Sequence, residues 1–204
     1  MSNKVSVVLF DLGGVLVELG GVQTMLGWLD RSMTLDQLNE TWLLSPVVSA
    51  FEAGRMMPDE FARQIVEEMS LRVSPETFLH EFTYWPQGLF PGVIDVIERI
   101  PSTYTTAILS NTNALHWPRL MDEMGLANRF DHYFASHLVG MIKPDQDIFE
   151  HIVATLACEP EAILFMDDNW LNVKAAREFG LQAEVTKGIE GATQVLIAYG
   201  VLTA

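Results

Sequence analysis

The chain has 204 residues, 49% of them hydrophobic and 19% charged, which is typical of a globular protein and excludes an intrinsically disordered one. Its formal net charge of −15 repels nucleic acid and anionic membranes, and no stretch approaches the ~20 apolar residues that cross a bilayer, so we expect neither partner. The single cysteine, Cys158, excludes an internal disulfide and favours a reducing, cytoplasmic location.

The first predicted element is a strand at residues 5–10, a β-branched apolar run that is typical of a strand buried on both faces of a parallel sheet. From about residue 20 to residue 85 the apolar spacing becomes helical and no strand-like alternation appears. We therefore predict a compact all-helical insert in this stretch. Its helices are expected to begin at hydroxyl caps and first-turn prolines, namely Thr34 with Gln37, Ser45 with Pro46, Pro58, and Ser74 with Pro75.

Strand and helix patterns alternate after Pro91. This rhythm predicts the α/β class, with a doubly wound parallel sheet as the core. The expected domains are an α/β core of residues 1–17 and 88–204 and a helical cap of residues 18–87. The predicted strands are residues 105–109, 132–135, 162–166 and 181–185, and the predicted helices are residues 92–100, 115–124, 147–156 and 171–179.

Polar side chains follow four separate strands of this predicted sheet. In such sheets ligands bind beyond the carboxyl ends of the strands, so these residues should meet at one edge. Taken singly, each could be a turn residue or a helix cap, but their joint occurrence favours a functional site. The predicted site residues are Asp11 after the first strand, Ser110 and Asn111 after the second, Lys143 in the loop after the third, and Asp167 with Asp168 after the fourth.

The four sequence motifs at these positions read FDLGGV, LSNTN, KPD and FMDDN, in that order. Together they resemble the motifs of the haloacid dehalogenase superfamily, most of whose members are phosphotransferases. The resemblance covers essentially the whole chain, and the insert lies where that family carries a helical cap. The pattern is similar to a subgroup with glycine two residues after the nucleophile, which includes bacterial sugar-phosphate phosphatases and the phosphatase domains attached to epoxide hydrolases.

This resemblance implies a role for each residue of the site. Asp11 would be the nucleophile and pass through an aspartyl-phosphate intermediate. Lys143 would place a positive charge on the phosphate and keep Asp11 ionised. Ser110 and the Asn111 amide would donate hydrogen bonds to phosphoryl oxygens, which compensates the charge of the transferred group.

The resemblance also implies a metal cofactor. Three carboxylates close together would raise one another's pKa, and a hard divalent cation such as Mg²⁺ relieves that repulsion through oxygen ligands. The implied ligands are Asp11, the backbone carbonyl of Gly13, and Asp168. Asp167 is expected to act from outside the coordination shell.

Gly13 departs from the usual family pattern, in which a second aspartate at this position moves protons. General acid–base help is worth roughly a hundredfold to ten-thousandfold in rate. Three outcomes stay open: a substrate with a good leaving group, such as an anomeric sugar phosphate or an acyl phosphate, a proton donor elsewhere such as Glu18 or Glu52, or a slow enzyme or binding scaffold with little turnover. We favour the first, a phosphatase whose substrate has a good leaving group.

The expected function is Mg²⁺-dependent hydrolysis of a small phosphorylated metabolite, for which a sugar phosphate is one candidate. One alternative is a catalytically weak protein of the same fold that binds a ligand or regulates a partner. A haloacid dehalogenase is a weaker alternative, because the acidic pair Asp167–Asp168 is retained. The sequence specifies neither the substrate nor an oligomeric state.

Overall fold

A computed structural model describes residues 5–29 and 33–203, so the parts of the predicted domains at residues 1–4, 30–32 and 204 lie outside it. No helix among the described residues is long and apolar enough to span a bilayer. The described residues form seven strands: β1 Val7–Phe10, β2 Val17–Leu19, β3 Pro86–Leu89, β4 Thr105–Ser110, β5 His132–Ala135, β6 Ile163–Asp167 and β7 Gln182–Val185.

Five of these strands form the central sheet, in the order β5–β4–β1–β6–β7, and every neighbouring pair is parallel. Phe10 at the end of β1 pairs with Ile108 of β4 and Met166 of β6. The residues that follow these strands therefore leave the sheet at one edge. The doubly wound parallel sheet predicted from the sequence is confirmed.

The described helices lie on both faces of this sheet and between β2 and β3. They are α1 Val22–Trp28, α2 Leu35–Leu44, α3 Pro46–Glu52, α4 Pro58–Glu68, α5 Pro75–Thr83, α6 Val93–Arg99, α7 His116–Pro118, α8 Ser136–Val139, α9 Gln146–Leu156, α10 Trp170–Phe179 and α11 Gly188–Ala198.

Strand β1 is buried on both faces, as its continuous apolar sequence predicts. Val8 and Phe10 belong to the apolar cluster that includes residues of α6 and α11. Val7 and Leu9 point to the opposite face, into the cluster that includes residues of α9 and α10. The sheet is thus held between two apolar layers, which fixes the position of the residues after β1.

A third apolar cluster holds α1 to α5 together. Phe51 stacks on Phe61 with ring centroids 4.1 Å apart, and Trp42 lies 5.3 Å from Trp85. The predicted helix starts are present: Thr34 and Gln37 form a capping box, and the hydroxyls of Ser45 and Ser74 accept from backbone N–H groups in the first turn.

The structure differs from the sequence-based prediction at three places. Antiparallel strands β2 and β3 pair at both junctions of the insert, so the expected boundaries at residues 17–18 and 87–88 fall inside a two-stranded ribbon. The helix expected at residues 115–124 is the short α7 followed by a π-helical turn, Arg119–Glu123. Helix α11 was not predicted at all. The division into a core and a cap stays a prediction.

Candidate active site

Asp11 and Lys143 form a buried ion pair at the carboxyl edge of the sheet. The Lys143 Nζ atom lies 3.0 Å from Asp11 Oδ1 and 2.6 Å from Asp167 Oδ2, and the Lys143 side chain is only 1% exposed. The same ammonium donates to the Leu109 carbonyl at 3.1 Å. Its donors are therefore directed at three fixed acceptors, and the chain brings these predicted site residues together.

The Asn111 side chain holds the loop that carries Lys143. Its Nδ2 donates to the Lys143 carbonyl at 2.9 Å, and its Oδ1 accepts from the Lys143 backbone N–H at 2.8 Å. The Asn111 side-chain amide is thus occupied in positioning the lysine. Only its backbone N–H remains for the phosphate-binding role that the sequence suggested.

Ser110 lies at the end of β4 and is 3% exposed. Among the described residues, no hydrogen bond is made by its side-chain hydroxyl, which is therefore available to a ligand. Ser110 and Asn111 both line the cavity beside the site. Both can reach a ligand that enters there.

Asp167 is fully buried, and its carboxylate oxygens are already hydrogen-bonded. Oδ1 accepts from the Asn169 backbone at 2.8 Å, and Oδ2 accepts from Lys143. The Asn172 amide donates to both oxygens, at 3.1 and 3.0 Å. Sequence reasoning missed Asn172, whose only signal is its place one turn into the helix after the acidic pair. Because both of its carboxylate oxygens already accept hydrogen bonds, Asp167 acts as a partner of Lys143.

Asp168 approaches the backbone of Gly14 so closely that any Cβ at position 14 would collide with its carboxylate. Gly14 also has a φ of +71°, which disfavours residues with a side chain. The second glycine of FDLGGV is therefore required by the site, and the sequence reasoning gave it no role. Among the described residues, the Asp168 side chain accepts no hydrogen bond from another residue.

The acidic groups of the site have raised pKa values. Burial raises the pKa of Asp11 to about 7. The positive charge of Lys143 lowers this pKa, whereas repulsion from Asp167 and Asp168 raises it further. Burial and the Asp167 charge also raise the pKa of Asp168. Burial alone would lower the pKa of Lys143, but Asp11 and Asp167 outweigh it and raise that pKa.

The donor set suits a hard divalent cation. Asp11, Asp167 and Asp168 each offer a carboxylate oxygen, and these atoms lie within 4.8 Å of one another. Because burial and mutual repulsion raise the pKa values of Asp11 and Asp168 despite the opposing charge of nearby lysines, a cation would stabilise both in the ionised form. No backbone hydrogen bond to the Gly13 carbonyl is made by the described residues, so this oxygen is a further available ligand.

A cavity of about 220 Å³ opens next to this cluster. Its lining includes Leu12 and Gly13, which directly follow Asp11, together with Ser110 and Asn111. Much of the remaining wall is apolar and comes from the helical insert, through Val22, Met25, Leu38, Trp42, Phe82 and Trp85.

The two carboxylates suggested as substitutes for the absent acid lie in different surroundings. Glu52, the last residue of α3, lines the cavity, whereas Glu18 is exposed on β2 and is not part of the lining. His116 also lines the cavity. Its Nε2 donates to the Phe82 carbonyl at 2.7 Å, and its Nδ1 accepts from Asn113 at 3.1 Å. His116 therefore joins the core to α5 of the insert.

A sequence profile described as a haloacid dehalogenase-like hydrolase matches residues 5–180. The chain belongs to the haloacid dehalogenase-like hydrolase family. The four motifs quoted above and the glycine-rich turn after Asp11 all lie within the matched region. The family resemblance read from the sequence is confirmed, and so is the assignment as a hydrolase.

Two curated relatives of this hydrolase match most of its length. A D-ribitol-5-phosphate phosphatase from Bacteroides thetaiotaomicron is 27% identical over 86% of this chain and 88% of the relative. The sesquiterpene phosphatase astK from Aspergillus oryzae is 25% identical over 89% of each chain.

Among solved structures, a family member from Bacteroides thetaiotaomicron, in complex with magnesium and inorganic phosphate, superposes with a TM-score of 0.70. It is 24% identical, and the match covers 90% of this chain and 94% of that one. At this identity the likeness shows a shared fold.

Proposed function

We propose that this hydrolase is a Mg²⁺-dependent phosphatase that hydrolyses a small phosphorylated metabolite through an aspartyl-phosphate on Asp11. The observation that carries the proposal is the buried Asp11–Lys143 pair, with Asp168 nearby, beside a cavity of about 220 Å³. The two phosphatases among its curated relatives support the same reaction class.

In this proposal each described contact has a task. An Asp11 carboxylate oxygen attacks phosphorus, while Lys143 holds that carboxylate in place and offsets the charge of the phosphoryl group. The Ser110 hydroxyl and the Asn111 backbone N–H donate to phosphoryl oxygens. Asp167 keeps Lys143 oriented toward Asp11, because the Lys143 ammonium lies closer to Asp167 Oδ2, at 2.6 Å, than to Asp11 Oδ1, at 3.0 Å.

Asp11, the Gly13 carbonyl and Asp168 would hold Mg²⁺. When bound, the ion supplies positive charge that keeps the carboxylates ionised and neutralises the phosphate. Magnesium in the solved family member from Bacteroides thetaiotaomicron supports this choice of metal.

The cavity wall favours an apolar organic group over a sugar. A sugar presents several hydroxyl groups, each of which loses hydrogen bonds to water if it is buried against apolar side chains. Trp42, Phe82 and Trp85 instead offer flat apolar surfaces. The organic part of the substrate is expected to lie against them while its phosphate reaches Asp11.

Two other functions can be separated from this one by assay. A haloacid dehalogenase would release halide from a 2-haloacid without metal, and Asp168 would have no metal to bind. A binding or regulatory protein would show a ligand-dependent shift of its melting temperature, with phosphate-ester hydrolysis at background.

The test is a panel of phosphate monoesters assayed with Mg²⁺, with chelator, and with the Asp11→Asn variant. The panel pairs sugar phosphates with benzyl phosphate and isoprenyl phosphates, so that the organic group is the main difference. We expect Mg²⁺-dependent release of phosphate, higher kcat/KM for the apolar esters, and activity at background for Asp11→Asn.

Equal turnover by the wild-type protein and Asp11→Asn would exclude Asp11 as the nucleophile. Turnover that persists with chelator would exclude the metal. Asp122→Asn is a matched control, because it makes the same chemical change at an exposed aspartate that is not part of the Asp11, Asp167 and Asp168 cluster.

A further inference from the structure

The place of the absent second acid is filled by an apolar side chain. A Cβ built on Gly13 would lie 2.8 Å from Leu19 Cδ1. Leu19 of β2 therefore occupies the space into which a side chain at position 13 would project. For an ester whose leaving oxygen needs a proton, the donor is therefore not a side chain at position 13.

Only two of the described residues that line the cavity carry a titratable side chain, Glu52 and His116. Both ring nitrogens of His116 are already engaged, by the Phe82 carbonyl and by Asn113. Burial lowers the pKa of His116 to about 4, although the bond to Phe82 opposes this effect. His116 is therefore neutral at physiological pH, and its one ring proton is held by a backbone carbonyl.

Glu52 has the opposite character. Among the described residues, its carboxyl group makes no hydrogen bond or ion pair, although it lines the cavity together with Gly13 and Ser110. It is the last residue of α3, where the partial negative charge of the helix end disfavours a carboxylate. Its surroundings thus favour the protonated, neutral form.

The backbone around Glu52 is firmly placed. Its neighbours Phe51 and Ala53 are 2% and 3% exposed. Gly54 has a φ of +70° and lies so close to the His137 carbonyl that a Cβ at position 54 would collide with it. This glycine lets the turn after α3 rest directly on α8 of the core, which keeps Glu52 at the cavity.

We propose that Glu52 is the proton donor and acceptor that replaces the absent acid at position 13. The inference rests on the proposed phosphatase activity and specifies how the same site handles protons. It assigns a catalytic task to the helical insert, which therefore does more than choose the substrate.

The proton balance of the reaction closes with this assignment. In the first step an Asp11 oxygen bonds to phosphorus, the bond from phosphorus to the leaving oxygen breaks, and that oxygen takes the Glu52 proton. In the second step water attacks the aspartyl-phosphate, gives one proton to the Glu52 carboxylate, and displaces the Asp11 carboxylate. Water and ester become alcohol and phosphate, and Glu52 ends protonated.

The acidity of Glu52 suits both directions of transfer. Burial raises the pKa of Glu52 to about 7. The positive charge of Lys143 lowers this pKa, and repulsion from Asp11 raises it. A group with a pKa near the working pH can give up a proton in one step and regain it in the next.

The experiment compares two esters with similar rings and different leaving groups, 4-nitrophenyl phosphate and benzyl phosphate. Nitrophenolate leaves without a proton, whereas the benzyl alkoxide needs one. The measured quantity is kcat/KM, which reports only the steps up to the first phosphoryl transfer. We expect Glu52→Gln to lower kcat/KM for benzyl phosphate about a hundredfold to ten-thousandfold, and that for 4-nitrophenyl phosphate less than about tenfold.

Glu18→Gln is the matched control, because it removes the other suggested carboxylate, which is exposed and outside the cavity lining. It should leave the ratio of the two kcat/KM values unchanged. Equal losses on both esters for Glu52→Gln would overturn the inference, as would an unchanged kcat/KM for benzyl phosphate. A variant that failed to fold would lose both esters, so retained turnover of 4-nitrophenyl phosphate also reports folding.

The phosphatase function and the role of Glu52 can be refuted separately. If wild-type protein hydrolyses neither ester with Mg²⁺, the phosphatase function is wrong. If wild-type protein hydrolyses both esters and Glu52→Gln affects both equally, only the role of Glu52 is wrong.

Discussion

The candidate site has a sheet end, at the carboxyl edge of β1, β4 and β6, and an insert end, formed by the helices that line the cavity, and the two handle charge in opposite ways. At the sheet end, Asp11, Lys143 and Asp167 are buried and held by short, reciprocal contacts. At the end formed by the insert, the wall is aromatic, and Glu52 has no hydrogen-bonding partner among the described residues. The comparison indicates that the sheet end is organised to stabilise a phosphoryl group, whereas the insert end accommodates the organic group and governs its proton.

Among these substitutions, the largest effect is expected at the sheet end, at Gly14. Gly14→Ala forces a Cβ against the Asp168 carboxylate, so a proposed metal ligand must move. We expect the Mg²⁺ concentration for half-maximal activity to rise about tenfold to a hundredfold, the range seen when groups that orient metal ligands are changed. Titration of phosphatase activity with Mg²⁺ measures it.

Gly125→Ala is the control for this variant. Gly125 has nearly the same φ, +72°, but nothing lies within 4 Å of its Cβ position. Both variants therefore carry a similar backbone penalty, and only Gly14→Ala disturbs the site. Equal Mg²⁺ requirements in the two variants would show that Asp168 does not bind the metal.

A smaller, more selective effect is expected at Leu19, which lies over Gly13 and is 58% exposed. Leu19→Ala should lower kcat/KM for benzyl phosphate by about tenfold, because apolar contact with the ring is lost. Acetyl phosphate, whose organic group is too small to reach the same wall, should be nearly unaffected. Steady-state kinetics with both substrates measure the difference.

Leu44→Ala provides a matched comparison, since Leu44 is also an exposed leucine of the insert, at 74%, and does not line the cavity. If Leu19→Ala reduced the rates with both substrates to the same degree, the insert end would not select the organic group.

The smallest expected effect concerns the contact between the two ends. The pKa of His116 is about 4 in the folded protein, below its unfolded value near 6.5, so the unfolded state binds the proton first as pH falls. Stability contributed by neutral His116 is complete above about pH 6.5 and is lost on acidification. Between pH 7 and 5.5, wild-type protein should lose about 1 kcal/mol more unfolding free energy than His116→Gln.

Urea denaturation at the two pH values measures this difference. Because each protein is compared with itself, the pH-independent cost of removing the His116 hydrogen bonds cancels. Identical pH dependence of the two proteins would mean that His116 accepts a proton in the folded state as easily as in the unfolded state.

Much of the fold could be predicted because its signals are local. The strand at residues 132–135 was predicted with its observed bounds, and Gly180 ends α10 in the left-handed conformation that a C-cap requires. Strands β2 and β3 were missed because they are short and gain their stability only by pairing across the insert. The π-helical turn after Pro118 was missed because apolar spacing does not distinguish it from an α-helix.

In the candidate site, too, the residues that could be predicted are those with a local sequence signal. Asp11, Ser110, Lys143 and Asp168 follow predicted strands, and parallel strands deliver such residues to one edge. Glu52 was only one of two suggestions, because its place depends on how the turn at Gly54 packs against the core. The filling of the space beside Gly13 by Leu19 likewise depends on a chain reversal that local sequence does not specify.

If Asp11 accepts the phosphoryl group, the aspartyl-phosphate on Asp11 can be trapped and identified. Wild-type protein is mixed rapidly with 4-nitrophenyl phosphate and Mg²⁺, quenched in acid, reduced with borohydride, digested and analysed by mass spectrometry. We expect reductive conversion at Asp11 alone, dependent on substrate and absent without Mg²⁺. Rapid phosphate release with no modification of Asp11 would contradict the role of Asp11 as nucleophile, and so would modification at Asp167 or Asp168 instead.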